Sequence, residues 1–200
     1  MHARRTYSRR AALGMGGMTG WFLLSAGYSN TCWAANAPQS RPTMPAELQS
    51  ELPDAQTLGS ATMKFLGAAI YEARLWVQAG FQASNYANSP LALELNYFRA
   101  LRGPLIAEQS LKEMRRQGPL GDEQEQAWLQ AMVRSFPDVK AGDRITGLHK
   151  PGAGARFWFN GQSRPALNDP DFSRIFFGIW LSDATSEPLM RSQLLRRGAV

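Results

Sequence analysis

Ala68-Ala69-Ile70-Tyr71-Glu72-Ala73-Arg74-Leu75-Trp76-Val77 is the stretch on which the fold turns. Ala69, Tyr71, Ala73, Leu75 and Val77 share one face of an extended chain, and Ile70, Glu72, Arg74 and Trp76 share the other. A mostly apolar face against a mixed one is the pattern of a strand with a core on one side. Leu58 to Lys64, just upstream, is a second candidate strand, and Gly67 reads as a break or bulge between the two. Leu91 to Phe98 alternates again, with Asn88-Ser89-Pro90 as the turn before it.

Downstream the period changes. Ala107, Leu111 and Met114 line one side of a helix that Gly118-Pro119 stops. A second helix opens at Asp122, a candidate N-cap with Glu125 at the capping-box spacing, and carries a stripe of Trp128, Leu129, Met132, Val133 and Phe136. Arg144 to His149 and Ala155 to Phe159 flank a Gly- and Pro-containing turn, and Asn160-Gly161 signals another. Asp169-Pro170 starts a helix with Phe172, Ile175, Phe176, Ile179 and Trp180 on one face. Ser186 can cap a last short helix with Leu189, Met190 and Leu194. Strands, two helices, a hairpin and two more helices make an α+β fold: a mainly antiparallel sheet with helices on one face.

The N-terminus has a different character. Arg4, Arg5, Arg9 and Arg10 precede an apolar stretch from Ala11 to Ala26, and Cys-Trp-Ala-Ala-Asn-Ala at 32–37 offers a small-residue exit. That order is expected of a cleavable export signal over residues 1–34, cut after Ala34. Ser8-Arg9-Arg10-Ala11-Ala12-Leu13 resembles a twin-arginine signal, although Ala12 stands where an aromatic is favoured; the ordinary secretory route is the alternative. The apolar stretch has four glycines and is short for a membrane span, which needs about 20 apolar residues. Residues 35–56, rich in Pro, Gln and Ser from Pro38 onward, read as a linker, and 57–200 as the domain. A periplasmic location follows as an expectation.

Charge and composition exclude several functions. The whole chain has 22 basic and 16 acidic residues, a formal charge of +6. Four of the basic residues are the leader arginines, so the chain after it carries 18 against 16, a charge near +2 with no basic run. Nothing in this balance asks for a nucleic acid. The lone cysteine, Cys32, lies inside the leader. His149 is the single histidine after it, so neither a conventional metal site nor a thiol nucleophile is expected, and no cofactor motif is present.

Three segments together resemble the chalcone isomerase-like family, and its bacterial exported branch in particular. Gly67 to Val77 is similar to that family's signature strand, Leu95 to Gly103 to the strand entering its first helix, and Phe172 to Leu181 to its C-terminal helix. The resemblance implies an open-faced β-sandwich, a curved antiparallel sheet with helices packed on one face. The plant enzymes of the family close a flavanone ring using an arginine, a threonine, a tyrosine, an asparagine and a late hydroxyl residue. Carried over on those motifs, the positions fall near Met63, Leu66, Ile106, Glu113 and Ile179, and none matches. Ring closure needs a cation for the phenolate and donors for the developing enolate, which Met, Leu and Ile do not supply.

The resemblance therefore implies a non-catalytic member binding a small hydrophobic ligand such as a fatty acid. Met63, Leu66, Ile106 and Ile179 are the candidate ligand-binding residues, joined by Tyr97 and Arg99, with no catalytic residue and no metal ligand. A filled core is the alternative at the same positions. An isomerase or intramolecular lyase with a divergent site and an envelope protein-interaction module are the alternatives in function. His149, at a strand end, reads as an exposed or satisfied residue rather than a catalyst.

Overall fold

In the computed structural model, residues 42–196 are described; the export signal read at 1–34 lies outside them. Six strands form one antiparallel sheet in chain order: β1 (Gln56–Phe65), β2 (Ala68–Val77), β3 (Leu91–Tyr97), β4 (Arg144–Lys150), β5 (Gly154–Phe159) and β6 (Gln162–Ser163). Helices α1 (Gly103–Met114) and α2 (Asp122–Ser135) sit between β3 and β4 in sequence, and α3 (Pro170–Leu181) and α4 (Pro188–Leu194) follow the sheet. This is the α+β architecture expected, an open curved antiparallel sheet with its helices on one face.

The apolar face of β2 does face those helices. In the β2–β3 register Tyr71 pairs with Tyr97, Leu75 with Leu93 and Val77 with Leu91, so like meets like across the ladder. Gly67 is half of a two-residue turn rather than a bulge: Leu66 and Gly67 have φ of 48° and 79°. Two successive positive φ values match the twist of the flanking strands, and glycine takes its place freely while Leu66 does not. β1 has two irregularities instead, between Thr57 and Gly59 and between Met63 and Lys64. Gly59 admits α4: a Cβ there would stand 2.3 Å from the Gln193 carbonyl oxygen.

Over the helix face Phe136, Phe157, Phe172 and Phe176 interlock, with the Phe136–Phe157 and Phe157–Phe176 rings edge-on at 5.1 and 5.2 Å. Asp169 caps α3 as expected, accepting from the Phe172 N–H at 3.0 Å, and its other oxygen takes the Trp128 indole N–H at 2.8 Å. The capping box at Asp122 does not form. Gly121 occupies the cap position, and Glu125 is bound by Arg115 instead. Glu187, not Ser186, precedes α4, and its N–H is received by the Thr185 hydroxyl.

The opposite face carries a second, smaller core. Leu48, Leu52 and Ala55 are buried against Trp76, Ala92, Leu148 and Trp158. The stretch read as linker 35–56 is thus packed structure from Met44 onward, with a 3-10 turn at Ala46–Leu48. Its three apolar residues lie among Pro, Gln and Ser, too sparse for a helix or strand period to show them. Ion pairs border this patch. Arg144 bonds Glu47 at 2.9 Å, Lys150 bonds Glu51 at 2.6 Å, and Arg156 bonds Glu51 and lies over the Trp158 ring.

Candidate functional site

The helix face is not filled everywhere. Between the sheet, α1, α3 and the start of α4 lies a cavity of about 610 Å³. Leu93, Leu95, Ile145 and Phe157 form its floor on the sheet; Ile106, Phe176 and Ile179 come from the helices above. Met63, Phe65, Ile70, Leu101 and Leu105 line the wall at the β1–β2 turn and the start of α1. Its walls are mostly apolar, as small-molecule sites are, and its size is ordinary for one.

Its polar lining includes two phenols, Tyr71 and Tyr97, together with Gln109, Ser110, Lys112, Glu113, Ser186 and Glu187. Tyr71 and Tyr97 stand edge to face with ring centroids 5.7 Å apart. The Tyr71 hydroxyl accepts from the Trp180 indole N–H at 3.1 Å, which leaves its own proton free to donate. The Tyr97 hydroxyl has no hydrogen-bond partner among the described residues. Burial pushes Tyr71 up to about 12, partly offset by the Trp180 bond and reinforced by the Glu187 and Glu113 carboxylates. Burial drives Tyr97 higher still, with Tyr71 adding to the effect. Both phenols stay protonated at any physiological pH. They are donors to a ligand and not phenolate bases.

Three charged residues line the wall, Lys112, Glu187 and Glu113, and the last has its two oxygens placed differently. One carboxylate oxygen accepts from the Gln109 amide at 2.8 Å; the other is buried without a hydrogen bond, and the Arg116 Nε that faces it lies 3.8 Å away. Lys112 is exposed and contributes the wall's only cation. A carbonyl or hydroxyl head group finds donors here. A phenolate finds no buried cation, and no nucleophile stands beside a base.

Four of the six residues expected at the site line this cavity: Met63, Tyr97, Ile106 and Ile179. Glu113, at the carried-over asparagine position, lines it too. Two do not. Leu66 lies at the tip of the β1–β2 turn and is 91% exposed, because the positive φ swings it off the sheet face. Arg99 follows the end of β3, where the chain has left the sheet, and is exposed outside the wall. Tyr71 and Trp180, which the sequence placed only on a strand face and a helix face, line the cavity as well. They meet 109 positions apart in the chain, a contact no local period signals.

His149 is satisfied rather than exposed. Its Nε2–H donates to the Ala87 carbonyl at 2.9 Å, and its Nδ1 accepts from the Ser173 hydroxyl at 2.6 Å. A carbonyl oxygen only accepts, which fixes that tautomer. Burial holds the imidazole below its ordinary value, with the Ala87 bond opposing. Ser173 and His149 are both buried, and neither is in the cavity wall. Among the described residues no cluster of His, Cys, Asp and Glu could hold a metal ion, and no helix is long and apolar enough to cross a membrane.

This sheet, its one-sided helices and the cavity between them are those of a chalcone isomerase-like protein. The family model for chalcone isomerase-like proteins matches residues 47–196, and the chain belongs to that family. A Haemophilus influenzae protein, described as uncharacterized, is 28% identical over 140 residues, 70% of this chain and 67% of that one. The crystal structure of an Arabidopsis thaliana fatty-acid binding protein superposes with a TM-score of 0.56 at 12% identity, over 72% of this chain and 88% of the plant protein. At that identity the likeness is one of fold.

Proposed function

We propose that this chain is a non-catalytic carrier that holds one small hydrophobic ligand, such as a fatty acid, in the cavity between its sheet and helices. The observation that carries the reading is an apolar cavity of about 610 Å³ whose Tyr97 hydroxyl has no partner among the described residues. A ligand oxygen entering the cavity finds this donor free, and a hydrogen bond to it contributes about 0.5–1.5 kcal/mol. The Arabidopsis thaliana protein of like fold is a fatty-acid binding protein, which agrees with such a role. Titration with a fluorescent fatty acid tests it. Saturable binding is expected, displaced by unlabelled fatty acid and weakened in Ile106→Trp, whose ring takes up part of the cavity. No binding, or equal binding by that variant, contradicts it.

The carrier is proposed to work in the periplasm. The support is the leader pattern at residues 1–34. Conversion of Arg9 and Arg10 to lysine is expected to leave the uncleaved precursor in the cytoplasm, as a twin-arginine signal requires. Unchanged export would assign the ordinary secretory route.

A divergent isomerase or intramolecular lyase is the second reading. The unpaired oxygen of Glu113 favours it, as a group that could exchange a proton with a bound ligand. Measurable chalcone cyclisation by the unmodified protein would establish it over the carrier.

A further inference from the structure

The rim of the cavity has an unusual composition. Four large apolar side chains are exposed there: Leu66 (91%), Phe65 (63%), Phe98 (49%) and Leu105 (46%). They form one region. Phe65 and Leu105 line the same cavity wall, Phe98 N–H bonds the Ile70 carbonyl at 2.9 Å, and Ile70 lines that wall as well. Leu66 is held at a positive φ, a placement that costs a branched apolar residue about 1–2 kcal/mol and gains no burial in return.

Three cations border it, and Glu108, exposed three residues after Leu105, is the first acidic residue beyond them on α1. Lys64 adjoins Phe65, Arg99 adjoins Phe98, and Arg102 lies three residues before Leu105; all are exposed. From Met63 to Tyr71 and from Tyr97 to Ala107 the chain has these three cations and no acidic residue. None of the three makes an ion pair with a described residue. Asp138, which packs against the start of α1, is engaged by the Gly103 N–H at 2.8 Å. Other cations on the sheet behave differently: Arg74, Arg144, Lys150 and Arg156 are each paired.

We propose that the β1–β2 turn, the end of β3 and the first turn of α1 form a docking surface for an anionic lipid membrane. Leu66 and Phe65 enter the interface, and Lys64, Arg99 and Arg102 meet the head groups. An apolar tip ringed by unpaired cations is complementary to that surface, where each lysine or arginine contributes about 1 kcal/mol. A second copy of this chain is a poorer occupant, because a two-fold contact would set the same cations against each other. The cavity wall runs up to this surface, so a docked protein presents its opening to the bilayer. That consequence, passage of the ligand between cavity and membrane, rests on the carrier reading; the docking itself does not.

Vesicle sedimentation with the mature chain tests the proposal. The protein is expected to pellet with vesicles containing phosphatidylglycerol, and much less with phosphatidylcholine alone. Loss of any one cation, as in Arg99→Gln, lowers the partition about fivefold. Leu66→Ser lowers it about tenfold or more, while leaving fatty-acid probe binding in solution unchanged, since Leu66 is outside the cavity wall. Leu66→Trp emits at shorter wavelength on adding anionic vesicles. Absence of pelleting, equal pelleting with neutral vesicles, or a stable dimer in sedimentation that Leu66→Ser disperses would each overturn it. Probe binding without vesicle binding refutes docking alone, and vesicle binding without probe binding refutes the carrier alone.

Discussion

The two faces of one sheet are finished differently. On the face without helices, residues 44–55 fold down over Trp76, Ala92, Leu148 and Trp158, and ion pairs from Glu47 and Glu51 tie the segment to β4 and β5. Glu94, also on that face, receives the Trp76 indole N–H at 3.0 Å and Arg74 at 3.3 Å. Its polar groups are matched almost completely, Arg144 Nε being an exception. On the helix face the ring cluster of α3 closes one end, yet about 610 Å³ is left open beside it, with a phenol hydroxyl unpaired. On the other face of the same sheet Leu48, Leu52 and Leu148 are fully buried. The opening is therefore a property of the residues of that wall, and it is where the proposed ligand would sit.

The contrast can be broken from either side. Leu148→Ala removes a fully buried side chain from the small core and is expected to cost about 2–5 kcal/mol of stability, read by denaturant unfolding, with probe affinity unchanged. Ile106→Trp does the reverse: it weakens probe binding while stability changes by less than about 1.5 kcal/mol, because the new ring enters space already empty. Similar stability losses for both would mean that the cavity is ordinary core.

Smaller effects sharpen the picture. Tyr97→Phe deletes the unpaired hydroxyl. It is expected to weaken binding of an oxygen-bearing ligand by about five- to tenfold, one hydrogen bond, without lowering the melting temperature. The same substitution at a satisfied core tyrosine would lower stability.

The smallest effect belongs to His149. Its folded pKa lies below the ordinary 6.5, chiefly through burial, so the unfolded chain takes up the proton first. Stability is complete above pH 6.5 and falls as the pH drops from there toward the folded value. Glu51 is held below its ordinary value by the Lys150 hydrogen bond, and Asp143 by the Asn160 amide, so their contributions are lost only at more acid pH. Thermal unfolding between pH 7.5 and 5.5 should show the decline, and His149→Gln should remove the slope while lowering the whole curve.

The strands and the helices were legible in the sequence because they rest on local periods. Alternation gave β2 its facing, and Asp169-Pro170 marked α3. Met63, Ile106 and Ile179 were placed by resemblance, and they meet at one cavity. What was not legible depends on long-range contact or on turn geometry. The positive φ of Leu66 turns it out of a site that its spacing would suggest. The Trp180 bond to Tyr71 joins two elements at opposite ends of the domain. Leu48 and Leu52 have a partner surface only once the sheet exists.

The most direct test of the carrier is to identify what occupies the cavity in the cell. The protein is purified from its native cells, extracted under denaturing conditions, and the extract is analysed by mass spectrometry. A fatty acid or similar apolar molecule at about one per chain, depleted in the Ile106→Trp variant, is the predicted result. A protein that comes out empty, and that then binds no member of a lipid panel, would contradict the account.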